Sequence, residues 1–263
     1  MTGLAPGAGV VVTGAGRGIG RALARRLAAG GARVVVNDLD RAAATLVAEE
    51  VGGYAAPGDA ASATGVAALV EFARGRLGQI DVWFGNAGID DGHGLDAPDD
   101  DWARALDVNV MAHVRAARLL VPDWVERGGG RYVLTASAAG LLTMLRVPAY
   151  SVTKHGAVAF AEWLSATYRH RGVVVQAICP LGVNTRMLDG ADTPLRELLT
   201  HDGALEPQDV AEAAWEALSG DRFLVLPHPV VAGYYLARAT DTDRWLHGMN
   251  RLQQGLERKE AAP

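Results

Sequence analysis

Cysteine is almost absent from this chain of 263 residues, with Cys179 the single thiol. One thiol rules out an internal disulfide framework and leads to the expectation of a reducing, cytoplasmic setting. Its neighbours Ala177, Ile178 and Pro180 mark it as a buried, inert thiol. Basic blocks are missing too. The 25 Lys and Arg stand against 30 Asp and Glu, a formal charge of -5, which argues against neutralising the phosphates of a nucleic acid. No stretch approaches the roughly 18 uninterrupted apolar residues of a membrane span. Residues Met1 to Gly9 carry no positively charged start, and Val10-Val11-Val12 runs straight into glycines, so no secretory leader is expected. Neither a Pro/Ser-rich linker nor a repeat breaks the chain. A single domain over residues 1–263 is expected.

What the chain does contain is alternation. Val10–Thr13, Arg33–Asn37, Ile80–Phe84, Arg131–Ala136 and Val173–Ile178 read as buried strands, with Phe223–Leu226 a late one and Tyr54–Ala56 a weaker candidate. Helical stretches lie between them: Gly20–Ala29, Arg41–Val51, Thr64–Leu77 and Trp102–Arg127. Strands apolar on both faces and separated by helices predict a parallel sheet covered on both sides. The fold class is therefore α/β, a doubly wound Rossmann-type sheet of about seven strands. The acidic run Asp96–Asp101 is expected at a helix N-terminus, where its charge suits the dipole. Arg186–Glu206 breaks the rhythm, being polar with Gly190, Pro194 and Gly203, and is expected to be a loop acting as a lid. A variable surface insertion is the plainer alternative. A C-terminal extension is expected over 228–263, with a loose tail from about Glu257.

Thr13-Gly14-Ala15-Gly16-Arg17-Gly18-Ile19-Gly20 follows the first strand and opens the first helix. The spacing is G-x-x-x-G-x-G over Gly14, Gly18 and Gly20. Lacking Cβ, such residues let backbone turn sharply and approach a pyrophosphate at the positive end of a helix. A glycine turn alone is weak evidence; its place between strand and helix strengthens it. Asp38 ends the second strand, 18 residues beyond Gly20. An acid there accepts hydrogen bonds from an adenosine ribose and repels a 2′-phosphate. Asp40 suits the cap of the helix starting near Arg41, which leaves Asp38 for the ribose. Arg17 points the other way, since a cation in the turn suits a 2′-phosphate. NAD is the expected cofactor and NADP the alternative.

Tyr150 and Lys154 stand four apart on a helical stretch and so share a face. A free phenol titrates near 10, too high for a base at neutral pH, and a fixed ammonium is expected to lower it. Such a pair takes a proton from an alcohol or gives one to a ketone. Y-x-x-x-K is common by chance, and an exposed helix pair is the bland explanation. Ser137 lies 13 residues before Tyr150, just past the fifth strand, where a hydroxyl can hold a substrate oxygen. By itself a serine there is more often a turn residue.

Taken together these residues resemble the short-chain dehydrogenase/reductase family over nearly the whole chain. The resemblance is carried by Thr13–Gly20, Asn86-Ala87-Gly88, Asn109, Ser137, Tyr150 with Lys154, and Pro180, Gly182, Val183 and Thr185. It implies that Lys154 also bonds the nicotinamide ribose and that Asn109 binds a water relaying protons from that lysine. It implies that Asn86, Ala87 and Gly88 support the sheet beside the cofactor and that Asp59, otherwise a turn residue, meets the adenine. Val183 and Thr185 would hold the carboxamide. One departure stands out: Leu181 follows Pro180 where the family has glycine, and Gly182 comes one place later, which puts bulk beside the nicotinamide.

Pocket candidates Ala139, Leu142, Met144, Leu145, Val147, Met187 and Leu188 are mostly apolar, so a largely uncharged secondary alcohol or ketone is the expected substrate. His93, in the loop Asp90–Gly94, reads as a solvent-exposed histidine rather than part of the cleft. The stretch Ala157–Ala161 in the Tyr150 helix is apolar all round, and with Trp102–Arg127 it suggests a partner surface. The resemblance implies a dimer or tetramer there. Tyr234, Tyr235, Trp245 and Leu252 are expected to pack on a neighbour, close the cleft, or pack on their own subunit. An epimerase or dehydratase would usually need a larger C-terminal domain. A nucleotide sensor without catalysis would tolerate loss of the proton-relay residues, all of which are present.

Overall fold

The computed structural model describes residues 4–90, 92–190 and 193–260. Asp91 of the His93 loop, two residues of the expected lid and the last three of the tail therefore lie outside the described residues. Valine runs build the sheet. Gly9–Val12 (β1), Arg33–Asp38 (β2), Tyr54–Pro57 (β3), Val82–Gly85 (β4), Gly130–Thr135 (β5), Val173–Ile178 (β6) and Leu224–Val225 (β7) are its strands. They lie in the order β3-β2-β1-β4-β5-β6-β7, every neighbouring pair parallel. The register sets Val11 between Val35 and Trp83. Alternate side chains then enter opposite cores. Val11, Trp83 and Tyr132 pack under the helices Ala63–Leu77 (α3), Ala112–Glu126 (α5) and Pro148–Tyr168 (α7). Val10, Val12 and Phe84 pack under Gly18–Ala29 (α1), Arg41–Glu50 (α2) and Pro207–Ala217 (α10). Both faces are covered, which explains strands apolar on both sides.

Local chemistry sets the helix ends. Asp40 caps α2 by accepting from the N–H groups of Ala42 and Ala43 at 3.0 and 3.1 Å. Asp99–Leu106 (α4) opens on Asp99, Asp100 and Asp101, as the acidic run predicts.

Four elements differ from expectation. The stretch read as one helix from Trp102 is α4, a widened π turn at Asp107–Met111, and α5. At that turn Asn109 is fully buried. Its Oδ1 accepts the Ile89 N–H at 2.9 Å, and its Nδ2 donates to the Ile89 carbonyl and to Thr153 Oγ1 at 2.9 and 3.0 Å. Arg186–Glu206 holds two short helices, Arg186–Asp189 (α8) and Thr193–Leu199 (α9), in place of a loop. Pro194 sits in the first turn of α9, where a missing N–H costs nothing. The expected loose tail is helical. Val230–Thr240 (α11) is followed by Thr242–Glu260 (α12), which runs on through Glu257. Finally, the apolar stretch Ala157–Ala161 of α7 is not buried on every side in the single chain, because Ala159 is exposed, as are Val152 and Trp163 on the same helix.

Strand order reverses between β1 and β4, which opens a crevice at the carboxyl ends of the strands.

Candidate active site

That crevice is a cavity of about 2250 Å³. It is lined by Gly14, Arg17, Gly18, Ile19, Gly20, Asp38, Asp59, Asn86, Ala87, Gly88, Ser137, Tyr150, Lys154, Pro180, Gly182, Val183 and Thr185. Asn109 stands behind the wall rather than in it. All seven apolar pocket candidates line the same space. His93 does not line it; it is half exposed, 3.7 Å from Asp101.

At one end lies the glycine turn. Gly14 and Gly18 have φ of 61° and 52°, which an L side chain rarely adopts. A Cβ on Gly14 would stand 2.9 Å from Ala87 Cα, and one on Gly20 2.2 Å from the Gly14 carbonyl oxygen. The turn is strapped to the end of β4. Thr13 Oγ1 accepts the N–H groups of Asn86 and Ala87 at 3.0 Å each, while Asn86 Nδ2 donates to the carbonyls of Thr13 and Gly14. α1 begins with no side-chain cap and no acid in its first turn, so its positive end is left for an external anion. Asp38 is held at both oxygens, accepting from the N–H of Gly16 at 2.8 Å and of Asp40 at 3.0 Å. Asp59 accepts from the N–H groups of Ala61 and Ser62. Arg17 is exposed and makes no hydrogen bond or ion pair through its side chain among the described residues. An uncapped helix end, a pinned acid at the tip of β2 and a cradle that Cβ atoms would fill all fit a dinucleotide.

At the other end Ser137, Tyr150 and Lys154 meet. Ser137 sits beside the Tyr150 phenol and favours its ionised form. Its Oγ also accepts the Ala139 N–H at 3.1 Å and donates to the Pro180 carbonyl at 3.5 Å. Lys154 Nζ lies 5.5 Å from the Tyr150 ring centre and donates to the Thr135 carbonyl at 2.9 Å. The tyrosine does not titrate as expected. Burial pushes its phenol up to about 12, against the lowering effect of Ser137. The same burial pushes Lys154 down to about 8. Desolvation penalises both charged forms here, so the nearby ammonium does not win. Burial also raises the Cys179 thiol to about 12, in keeping with an inert residue.

Beside Tyr150 the cavity is framed by a strained loop. Thr143 and Arg146 have φ of 68° and 70°, a conformation costly for side chains of this kind. Ser151, next to Tyr150, clamps the loop by accepting the Met144 N–H at 2.8 Å and donating to its carbonyl at 3.0 Å. Leu181 is not in the left-handed region, so the family's glycine is not needed for backbone reasons. Its N–H donates to His228 Nδ1 at 3.1 Å, and His228 Nε2 lies 3.2 Å from the Gly203 carbonyl. The base of the 186–206 segment is closed by Asn184 N–H to Leu205 O and Leu205 N–H to Gly182 O, at 2.9 and 3.1 Å. Tyr234, Trp245 and Leu252 reach the cavity from α11 and α12. Arg238 ties α11 to the Leu141 carbonyl and to His155 Nε2. Sequence reading passes over Ser151, His228 and Arg238, since each acts through a tertiary contact with no local signature.

Residues 8–195 match the family model described as short chain dehydrogenase. The chain is 37% identical over 222 residues to a 1-deoxy-11-beta-hydroxypentalenate dehydrogenase of Streptomyces exfoliatus, covering 81% of this chain and 80% of the relative. It is 32% identical over 237 residues to a cyclohexanol dehydrogenase of an Acinetobacter species, covering 87% and 94%. Among solved structures, a short chain dehydrogenase/reductase from Burkholderia phymatum in complex with NAD superposes with a TM-score of 0.82 at 28% identity, covering 90% of this chain and 95% of the other.

Proposed function

The chain belongs to the short-chain dehydrogenase family, and on that premise we propose that it moves a hydride between NAD(H) and a ring-borne secondary alcohol or its ketone. The observation that carries this reading is the meeting of Ser137, Tyr150 and Lys154 in the cavity that the open glycine turn also lines. The relatives named for cyclohexanol and a hydroxypentalenate act on ring alcohols, and the apolar wall around Leu142, Met144, Leu145 and Val147 suits such a body.

The dinucleotide would lie on Gly14–Gly20, Asp38, Asp59, Asn86–Gly88 and Pro180–Thr185, with Lys154 and Tyr150 beside its nicotinamide end. When bound, it supplies the hydride acceptor or donor. The chain's own residues handle orientation and the proton. Ser137 Oγ holds the substrate oxygen. Tyr150 Oη gives its proton to a ketone oxygen, or takes one from an alcohol. A phenol raised to about 12 holds its proton at neutral pH, so that proton is present for a ketone oxygen to take. Lys154, brought down to about 8, exchanges protons near physiological pH and restores that of Tyr150. Asn109 positions the loop at Ile89 and the helix of Lys154 through Thr153.

NAD is favoured over NADP because the Asp38 carboxylate, fixed by two backbone N–H groups, cannot swing away from a 2′-phosphate. Arg17, free to move, supports the NADP alternative. The α8–α9 segment acts as a lid, with Met187 and Leu188 over the substrate. The remaining expectations, a cytoplasmic enzyme that assembles as a homotetramer through α5 and α7, belong to the same proposal.

The test is reduced-nicotinamide absorbance over a panel of cyclic ketones and alcohols, with NAD(H) and NADP(H) in parallel. Turnover with NAD(H) above NADP(H) is expected. A folded protein that binds NADH yet turns over no member of the panel contradicts the catalytic reading.

A further inference from the structure

The cavity wall formed by α12 combines positive charge and bare apolar surface. Arg244, Trp245, Gly248, Arg251 and Leu252 all face the cavity, as their helical spacing allows. The Arg251 guanidinium folds back over that face, with Nη2 3.9 Å from where a Cβ on Gly248 would stand.

Three acids that line the same cavity have partners other than these side chains. Asp241 accepts the Arg244 backbone N–H at 2.9 Å, Asp189 pairs with Arg196, and Asp202 accepts the Tyr234 hydroxyl at 3.0 Å. Among the described residues the side chains of Arg244 and Arg251 make no hydrogen bond or ion pair. Beside them Leu236, Leu252 and Met187 line the cavity while 68%, 45% and 44% exposed. Apolar surface left bare on a cavity wall is a binding surface by default. Two unspent guanidinium groups at its edge fit an oxyanion, which they grip in fork geometry.

We infer that the substrate is an amphiphilic anion, a ring ketone or alcohol whose apolar body extends along α12 to an oxyanion held by Arg244 and Arg251. This adds a charged end to the largely apolar alcohol or ketone expected from the sequence, and it rests on the dehydrogenase reading above.

The test uses ω-(4-oxocyclohexyl)alkanoates with chains of two to six carbons, their methyl esters, and the matching alkyl phosphates, each with NADH. At the best chain length the acid is expected to exceed its ester in kcat/KM by roughly 10–100-fold, as charged hydrogen bonds allow. In the Arg244→Gln/Arg251→Gln double variant that ratio collapses towards one, through the KM of the acid. The Lys double variant restores part of it. Preference for phosphate over carboxylate identifies which oxyanion the pair takes. Equal turnover of acid and ester at every length, or an acid preference that survives the double variant, overturns the inference.

Silence with every ketone counts against the dehydrogenase reading instead. Quenching of tryptophan fluorescence by acid and by ester, with NAD present, then decides the cation pair. Tighter binding of the acid, lost in the double variant, upholds it, and equal binding overturns it.

Discussion

The half of the molecule that holds the glycine turn and the half that walls the far end of the cavity, the proposed substrate cover, are secured by different means. α1 buries Gly20, Ala22, Leu23, Ala24 and Leu27 against the sheet, whereas among the described residues α11 fully buries only Val231 and α12 only Leu256. The cover rests half-buried Tyr234, Tyr235 and Trp245 on the core and adds scattered polar ties: Arg238 to the Leu141 carbonyl, Tyr234 to Asp202, Lys259 to Glu197, and His228 to Leu181. Reacting groups need positions fixed to a fraction of an ångström, which packing provides. A substrate wall needs only the right shape and charge, and surface helices can change without disturbing the frame. In the proposed reaction, chemistry therefore belongs to the frame and selectivity to the cover.

Lys154→Met should give the largest effect, lowering turnover by roughly 10²–10⁴-fold, the usual scale for lost proton transfer. Its Tm at pH 7 should hold or rise, because the change removes a buried charge. In the wild type, ketone reduction should decline as pH rises through about 8, where Lys154 gives up its proton. A loss of activity matched by a loss of fold would blur the division.

Gly20→Ala and Gly233→Ala place the same methyl in the two halves. The first meets the Gly14 carbonyl at 2.2 Å and should cost about 1–3 kcal/mol in urea unfolding. The second, on α11, meets nothing within 4 Å and should be neutral or stabilising by up to about 1 kcal/mol. Equal costs at both sites would break the comparison.

His113, fully buried in α5, is held neutral, its imidazole pushed down to about 3 by burial first and then by the Lys154 charge. The unfolded chain takes up that proton near 6.5, so this contribution is complete above pH 6.5 and is lost as pH falls towards 3. Stability should drop by about 1.4 kcal/mol per pH unit in that window, and His113→Leu should flatten the slope. Arg238→Ala, in the cover, should leave global stability within about 1 kcal/mol. Amide exchange in α11 and α12 should quicken, and the substrate KM should rise while kcat holds.

Much of the frame is legible from residue type alone. Val10–Val12 and Val173–Val175 announce strands buried on both faces, and Asp40 announces the cap it makes. The site is legible where spacing carries chemistry, as in Gly14–Gly20 and in Tyr150 with Lys154. Tertiary effects are not. The π turn at Asn109 is invisible because its bonds run to Ile89 and Thr153, far along the chain. Pro194 and Gly190 read as breaks, though Pro194 sits in the first turn of a helix. The raised Tyr150 phenol depends on how deeply the fold buries it, which no local pattern reveals.

Tyr150→Phe removes one oxygen from the proposed proton path and little else. With a ketone that the wild type reduces, its NADH-dependent turnover should fall by roughly 10²–10⁴-fold, while NADH affinity, followed by fluorescence, stays within a few-fold. Turnover equal to that of the wild type would contradict the assignment of the proton to Tyr150.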